Sequence, residues 1–192
     1  MATRILTPEF RAGYISVFKA TAQKQDDGTM GKAKFSIRAC FPPTADLSEL
    51  KAEAGAVAVA KFGSNVPKSL RSPFRKNEEL DNPVVGLGDD WIVMTFSANE
   101  DSKPGLVDAD TNDIIDQSLV YSGAWYRCQV HAYGYDMKGN KGVTFGLDNV
   151  QKLRDDDTLG NGKPPANKAF TPVGGTGAAA GGKAKSAADI FG

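Results

Sequence analysis

Alternating apolar and polar positions predict several β-strands in this chain. Residues 11–20, 32–41 and 91–98 each alternate with a period of two. Successive side chains of a strand point to opposite faces, so this period is typical of half-buried strands. In the segment 32–41, one face carries Ala33, Phe35, Ile37, Ala39 and Phe41, and the other carries Lys32, Lys34, Ser36, Arg38 and Cys40. A short strand is also predicted at 106–108, within an acidic, turn-rich segment.

One segment follows a helical period instead. After Pro42-Pro43, Asp46 predicts the start of a helix, apolar residues recur along one side of it, and Gly63 ends it. Residues 64–90 then form a long irregular stretch that contains KSLRSPFRK. A connector of this length is usually either functional or mobile.

The segment SGAWYRCQVHAYGYD, residues 122–136, predicts a strand with two unlike faces. The more apolar face carries Tyr126, Cys128, Val130, Ala132 and Gly134. The other face carries Trp125, Arg127, Gln129, His131, Tyr133 and Tyr135, and the sequence leaves open whether it is core or an exposed platform. Gly139-Asn140 with Gly142 predicts a tight turn into a last strand at about 143–153, so the two strands should pair as a hairpin.

Five or six strands with one inserted helix predict a mainly β fold. An antiparallel barrel like the oligonucleotide-binding (OB) fold fits this pattern, and a β-sandwich is the competing architecture. After Arg154 the composition shifts to Gly, Ala, Pro, Lys and Asp, which cannot bury enough apolar surface to order a segment. The predicted organisation is a folded domain at 1–154 and a disordered Gly/Ala/Lys-rich tail at 155–192.

Charge and cysteine content narrow the function. The 192 residues include 23 Lys plus Arg and 23 Asp plus Glu, so bulk charge predicts no polyanionic partner. Two widely separated cysteines predict buried thiols in a reducing cytosol rather than a disulfide framework. No apolar run approaches the length that spans a membrane, which predicts a soluble intracellular protein without a membrane partner.

The side-chain inventory argues against catalysis. His131 is the single histidine, which excludes a site built from two imidazoles. Cys40 and Cys128 lack a metal-ligand spacing, and no Gly-rich phosphate loop is present. The acidic residues 108–116 do not follow a calcium-loop spacing and favour a solvated turn. We therefore predict a protein that is not an enzyme and has no metal and no cofactor.

The residues that remain fit the chemistry of single-stranded nucleic acid. Its flat bases stack on aromatic rings, and its phosphates attract Lys and Arg. The candidate stacking residues are Trp125, Tyr133, Tyr135 and Phe74. The candidate phosphate-binding residues are Lys32, Lys34, Arg38, Arg71, Arg75, Arg127, Lys138 and Lys141. Each ring has an alternative role in the core, and Tyr14 and Phe18 are left unassigned.

The run YSGAWYRCQVHAYGYDMKGNKGVTFGLDNVQKLRDDD, residues 121–157, resembles the signature of a family of tailed-bacteriophage single-stranded-DNA-binding proteins with an OB fold. GKAKFSIRACFPP, AVAVAKFG and SKPGLVD are also similar, so the resemblance covers residues 10–156. It implies a protein that coats and protects exposed single strands, without sequence preference, during phage DNA replication and recombination. The cytoplasm of the infected bacterial host is the implied location.

The resemblance also implies a partner-docking tail. Proteins of this functional class often end in a flexible acidic tail with an aromatic tip that recruits replication or recombination enzymes. Here the candidate docking residues are Asp189, Ile190 and Phe191, although Lys183 and Lys185 depart from an acidic pattern. Two other functions stay open: a phage structural or assembly protein that uses the barrel for protein contacts, and an RNA chaperone of the cold-shock type.

Overall fold

The computed structural model describes residues 3–22, 28–137 and 139–160. In this part of the chain the elements are β1 (Arg4–Leu6), β2 (Phe10–Thr21), β3 (Lys34–Phe41), α1 (Ser48–Phe62), β4 (Arg75–Lys76), β5 (Ile92–Asn99), β6 (Gly105–Val107), β7 (Trp125–Met137) and β8 (Asn140–Arg154). The mainly β fold with one inserted helix is confirmed. The strands β1 and β4 were not predicted, because two or three residues are too few to show an alternation.

The strand pairings close into a ring. β2 pairs with β3, β3 with β5, β5 with β8, β8 with β7, and β7 with β2. The β5–β8 pairing is parallel, and the other four are antiparallel. β1 adds to β7, and β6 adds to β8 in a parallel pairing, so both lie outside the ring.

Two joints of this ring are short. β2 and β7 share only the pairs Phe10–Tyr126 and Arg11–Trp125, and β5 and β8 also share two pairs. By contrast, β7 and β8 pair along nearly their whole length, from Trp125 opposite Arg154 to Met137 opposite Asn140. The long hairpin is therefore the most extensively paired part of the ring, and the two short joints need support from other segments.

The predicted face assignment of the long strand is confirmed. The side chains of Tyr126, Cys128, Val130 and Ala132 are at most 5% exposed and belong to the hydrophobic core. Core aromatic rings from four other strands meet the same interior: Phe10, Phe41, Phe96 and Phe145. The opposite face of β7, with its rings and polar groups, lies outside the core.

The single helix covers β7 and β8. Its buried side consists of Leu50, Ala54 and Ala58. Asp46 accepts a hydrogen bond from the Ser48 backbone N–H at 2.9 Å, but the N-cap position is Leu47 and has no side-chain cap. The helix therefore begins one residue later than Asp46 predicts. Among the described residues, no helix combines the length and the apolar character needed to cross a lipid bilayer.

The two cysteines are buried free thiols, as predicted. Burial raises the pKa of the Cys40 thiol to about 12, against a smaller opposing effect of the Arg38 charge. Cys40 packs with Val84 and Val93 in a second small cluster under residues 77–91. This irregular segment is ordered by Asn77, whose side-chain oxygen accepts the Val84 N–H at 2.8 Å. Burial also raises the pKa of the Cys128 thiol, so neither buried cysteine is a reactive thiolate at neutral pH.

The segment 155–160, which we name the acidic strap, folds back over the short β2–β7 joint. The Trp125 indole N–H donates to Asp156 Oδ2 at 2.7 Å. Arg11 donates from Nε to the Gly123 carbonyl at 2.9 Å and from Nη2 to the Asp157 carbonyl. The strap thus connects Arg11 of β2 to Trp125 of β7, the two residues that form the last pair of the joint.

The rest of the strap is also anchored. Lys152 and the Tyr121 hydroxyl bind Asp155 and lower the pKa of that carboxyl. Leu159 packs on the second cluster, and the Gly160 N–H donates to the Val85 carbonyl. The packed body therefore continues past residue 154, where the sequence predicts its boundary. The remainder of the predicted tail, 161–192, lies outside the described residues.

We predict that the strap stabilises the ring. A chain that ends at Arg154 should lose about 2–4 kcal/mol of unfolding free energy, because several hydrogen bonds of about 1 kcal/mol each and the packing of Leu159 disappear. A chain that ends at Gly160 is the matched control and should unfold like the full chain. Urea denaturation followed by circular dichroism measures both, and equal stability of the two truncated chains would refute the role of the strap.

Candidate nucleic-acid interface

A groove of about 1040 Å³ lies beside the short β5–β8 joint. Alternate outward residues of β5, Thr95 and Ser97, line it together with Thr144 of β8. β7 contributes Tyr133 and Tyr135. Because β5 and β8 pair only at Phe96–Phe145 and Ser97–Gly146, the two strands have no further mutual pairing in the described structure, and the groove lies alongside this gap.

The basic segment KSLRSPFRK forms one rim of the groove. The Arg71 backbone N–H donates to the Lys141 carbonyl on β8 at 2.9 Å, and β4 pairs with β5. Between these two attachments, the Phe74 ring packs edge-on against Phe145, with 6.3 Å between ring centroids. The segment is therefore a fixed rim that spans the gap between β5 and β8, and Phe74 both anchors it and lines the groove.

Tyr135 lies flat across the neighbouring strand. It pairs with Gly142 of β8, and a Cβ on Gly142 would come closer than 3.0 Å to three atoms of the tyrosine ring. His131, four residues before Tyr135 on β7, likewise pairs with Gly146 of β8, and a Cβ on Gly146 would overlap the imidazole ring. Glycine on β8 thus makes room for a ring from β7 to lie on the sheet with one face turned outward.

Tyr133 is the more exposed ring of the groove, with 39% of its surface accessible. Partial burial raises the pKa of its hydroxyl, Tyr135 raises it further, and a hydrogen bond with Ser97 opposes both effects. The hydroxyl is consequently protonated and uncharged at neutral pH. A neutral ring beside a polyanion can stack on a base without repelling the neighbouring phosphates.

The groove is electropositive. Four cationic side chains line it, against the two carboxylates of Glu79 and Asp81: Lys34, Arg38, Arg71 and Arg75. Arg75 donates to the Glu79 backbone carbonyl. In the part of the chain that the structure describes, no carboxylate lies within 4.0 Å of the charged groups of Lys34, Arg38 or Arg71. These three charges are available to an anionic ligand.

Seven of the predicted site residues are therefore brought together in the groove: Phe74, Tyr133, Tyr135, Lys34, Arg38, Arg71 and Arg75. Trp125 lies at the far end of β7, where Arg154 stacks on its ring at 4.3 Å from the centroid and Asp156 accepts its N–H. Arg127 donates to Gln151 Oε1 at 2.7 Å. Neither residue lines the groove, and a DNA contact by either one stays a prediction.

The other predicted cations have separate positions. Lys32 lines a different recess with Glu100 and Asp101. Lys141 forms an ion pair with Asp136 at 3.4 Å in the hairpin. Lys138 and the tail residues Asp189, Ile190 and Phe191 lie outside the described residues.

One side of the groove is lined by three hydroxyl side chains that the sequence did not identify as site residues. Thr95, Ser97 and Thr144 occupy the polar positions that alternate with core residues on β5 and β8. Their small side chains leave the groove open between the tyrosines and the cations. The alternation of apolar and polar residues predicts that these three side chains point outward. Only the pairing of the strands in the ring shows that they line the same groove as Tyr133.

The comparison with known proteins agrees with this geometry. A family model described as the ssDNA-binding protein of Enterobacter phage Enc34 matches residues 3–184, almost the whole chain. The chain belongs to this family. The predicted membership of a phage single-stranded-DNA-binding family is thus confirmed.

Solved structures of phage single-stranded-DNA-binding proteins share the fold. The single-stranded DNA-binding protein from bacteriophage Enc34 matches with a TM-score of 0.63 and 17% identity, over 88% of this chain and 90% of that one. Its complex with ssDNA matches with a TM-score of 0.64 and 16% identity, over 82% and 89%. The gp2.5 single-stranded DNA binding protein encoded by bacteriophage T7 matches with a TM-score of 0.53 and 14% identity, over 79% and 92%.

A curated relative of this Enc34-family chain matches over a shorter stretch. Protein p50 of Acyrthosiphon pisum secondary endosymbiont phage 1 is 39% identical over 70 residues. The match spans 36% of this chain and 38% of the length of p50.

We predict that Gly142→Ala displaces the Tyr135 ring from the groove. The added methyl group would overlap the ring, so the tyrosine must rotate away from β8 while the chain stays folded. A crystal structure or the NMR shifts of the ring protons would show the change. Gly55→Ala is the control, because a Cβ at Gly55 meets nothing within 4 Å. An unchanged Tyr135 ring in Gly142→Ala would contradict the prediction.

Proposed function

We propose that this chain binds single-stranded DNA in the groove beside the β5–β8 joint, without sequence preference. It would coat and protect exposed strands during phage DNA replication and recombination. The observation that carries the proposal is the meeting of two flat tyrosines and four cationic side chains in one groove of about 1040 Å³. Aromatic faces and cations that follow a backbone are the general requirements of a single-strand binder.

Several features of the groove favour binding that tolerates any base sequence. Stacking uses the face of a base, which every nucleotide has. The described residues that line the groove include no Asn or Gln, the side chains that form bidentate hydrogen bonds with adenine. The complex of the Enc34 protein with ssDNA supports the same ligand class for this chain.

The proposed role is non-catalytic, and we propose that the protein acts in the cytoplasm of the infected host. His131, the single histidine, contacts Asp148 with 3.0 Å between Nδ1 and Oδ1, and it is not among the residues that line the groove, so it does not lie beside a strand bound there. Among the described residues, no group of three or more His, Cys, Asp or Glu side chains could hold a metal ion. We further propose that the tail around Ile190 and Phe191 recruits phage replication or recombination enzymes.

A titration with fluorescently labelled oligothymidine tests the function. We expect saturable binding that is tighter than binding to duplex DNA of the same length, and tighter than binding to oligouridine. Affinity for RNA that equals or exceeds affinity for DNA would favour an RNA chaperone. An absence of binding at low salt would overturn the proposal and favour a phage structural or assembly protein.

The salt dependence of this binding tests the role of the cations. Each phosphate contact on a single strand contributes a slope of about −0.7 to a plot of log affinity against log salt concentration. We expect Arg38→Gln to make the slope shallower by about 0.7, because one phosphate contact is lost. Lys51→Gln, on the exposed side of α1, is the control and should leave the slope unchanged. Equal slopes for the two variants would show that Arg38 contacts no phosphate.

A further inference from the structure

A second, smaller recess continues the groove on the other side of Arg38. Its volume is about 310 Å³, and it is lined by Gly13, Tyr14, Ser36, Arg38 and Thr95. Arg38 and Thr95 also line the groove of about 1040 Å³. The two concavities therefore meet at these two side chains and form one path over the outside of the ring.

The path crosses the strands along one row of the sheet. Tyr14 of β2 pairs with Arg38 of β3, and Arg38 pairs with Thr95 of β5. The next row consists of small residues from the same three strands: Ser16, Ser36 and Ser97. Neighbouring strands lie about 4.8 Å apart, so a path followed over the curved sheet from β7 across β8, β5 and β3 to β2 is roughly 19 Å long. Several nucleotides fit between the two rings.

Tyr14 faces this path because of a β-bulge. Ala12 pairs with Ala39 in the core, whereas Tyr14 pairs with Arg38, so Gly13 is an extra residue on β2. In a regular strand Ala12 and Tyr14 would share the inner face, and the bulge turns the tyrosine outward. A Cβ on Gly13 would lie 2.9 Å from the Cys40 Sγ atom and crowd Val84, so glycine is the residue that fits at the bulge.

The Tyr14 side chain is tethered at its hydroxyl and partly exposed. Its hydroxyl lies 3.3 Å from the Thr21 Oγ1 atom, further along the same strand, and that hydroxyl donates to Ser16. This contact ties the far end of the side chain to β2. The ring is 41% exposed and does not belong to the core clusters of the described residues. An aromatic ring that is oriented by a bulge and a tether, is partly exposed, and lines a recess that meets the groove is a candidate ligand contact.

We propose that Tyr14 is a second base-stacking position, which takes a base beyond the Arg38 contact on a strand that already occupies the groove. The inference rests on the proposed function, since it extends the same site. The bound strand then runs from the tyrosines of β7 over the threonine and serine residues of β5, past Arg38, to β2. Only oligonucleotides long enough to span this path reach the Tyr14 ring.

The test is a length series of oligothymidine, from about four to about sixteen nucleotides, the range that one OB barrel occupies. We expect Tyr14→Ala to weaken binding of the longer oligonucleotides roughly fivefold or more, the loss of one stacked base, and to leave the shortest unaffected. Tyr14→Phe should retain full-length binding, because it keeps the ring. Tyr14→Leu should behave like Tyr14→Ala, because it keeps apolar volume without a flat face.

Two controls separate the possible failures. Leu119→Ala removes an exposed apolar side chain from the short 3-10 turn Gln117–Leu119, outside the groove, and should bind every length normally. Tyr133→Ala should weaken binding of all lengths. If Tyr133→Ala weakens binding and Tyr14→Ala weakens it at no length, the second stacking position is wrong and the proposed function stands. If neither variant weakens binding, the groove is not where DNA binds, and the location of the site in the proposed function is wrong. Thermal unfolding of each variant verifies that the chain is folded.

Discussion

The long antiparallel pairing of β7 with β8 is the constraint on which the other features depend. It fixes which side chains of β7 enter the core, with Tyr126 and Val130 inside and Tyr133 and Tyr135 outside. It also places a glycine of β8 opposite a ring of β7, so that Tyr135 lies on the strand instead of standing away from it. The side-chain period of two thus places the tyrosines on the outer face of β7, and one glycine on β8 leaves room for the Tyr135 ring to lie against the sheet.

The ring of strands explains where that platform becomes useful. Its joints at β2–β7 and β5–β8 have two residue pairs each, and each is supported by an irregular segment. The acidic strap supports the first joint and engages Trp125 and Arg11 in doing so. The KSLRSPFRK segment supports the second joint, where the groove lies. Within the described residues, Lys34, Arg38 and Arg71 have no carboxylate partner there. At the β2–β7 joint, Arg11 is paired with the acidic strap. At the β5–β8 joint, the cations of the groove remain available to an anionic ligand.

The sequence was sufficient for the longer strands, the helix and the inward face of the hairpin, because these depend on local periodicity, whereas β1 and β4 are too short to show one. It could not show that Trp125 and Tyr133, on one face of one strand, belong to different surroundings, since Asp156 reaches Trp125 only through the fold of the strap. It could not assign Tyr14 either, because a bulge changes the phase of the alternation after Ala12. The composition after Arg154 predicts disorder from this residue onward. In the structure, however, Asp155 binds Lys152 and Tyr121, Asp156 accepts the Trp125 N–H, and the Asp157 carbonyl accepts a hydrogen bond from Arg11.

The most direct measurement of the central claim is an NMR map of the backbone amides before and after saturation with oligothymidine. Binding in the groove should give the largest shifts on the outward residues of β5 and β8, Thr95, Ser97 and Thr144, together with Tyr133, Tyr135 and the segment 71–76. The acidic strap and α1 should change little. Shifts concentrated around Trp125 and the strap, with the groove unaffected, would show that DNA binds elsewhere on the ring.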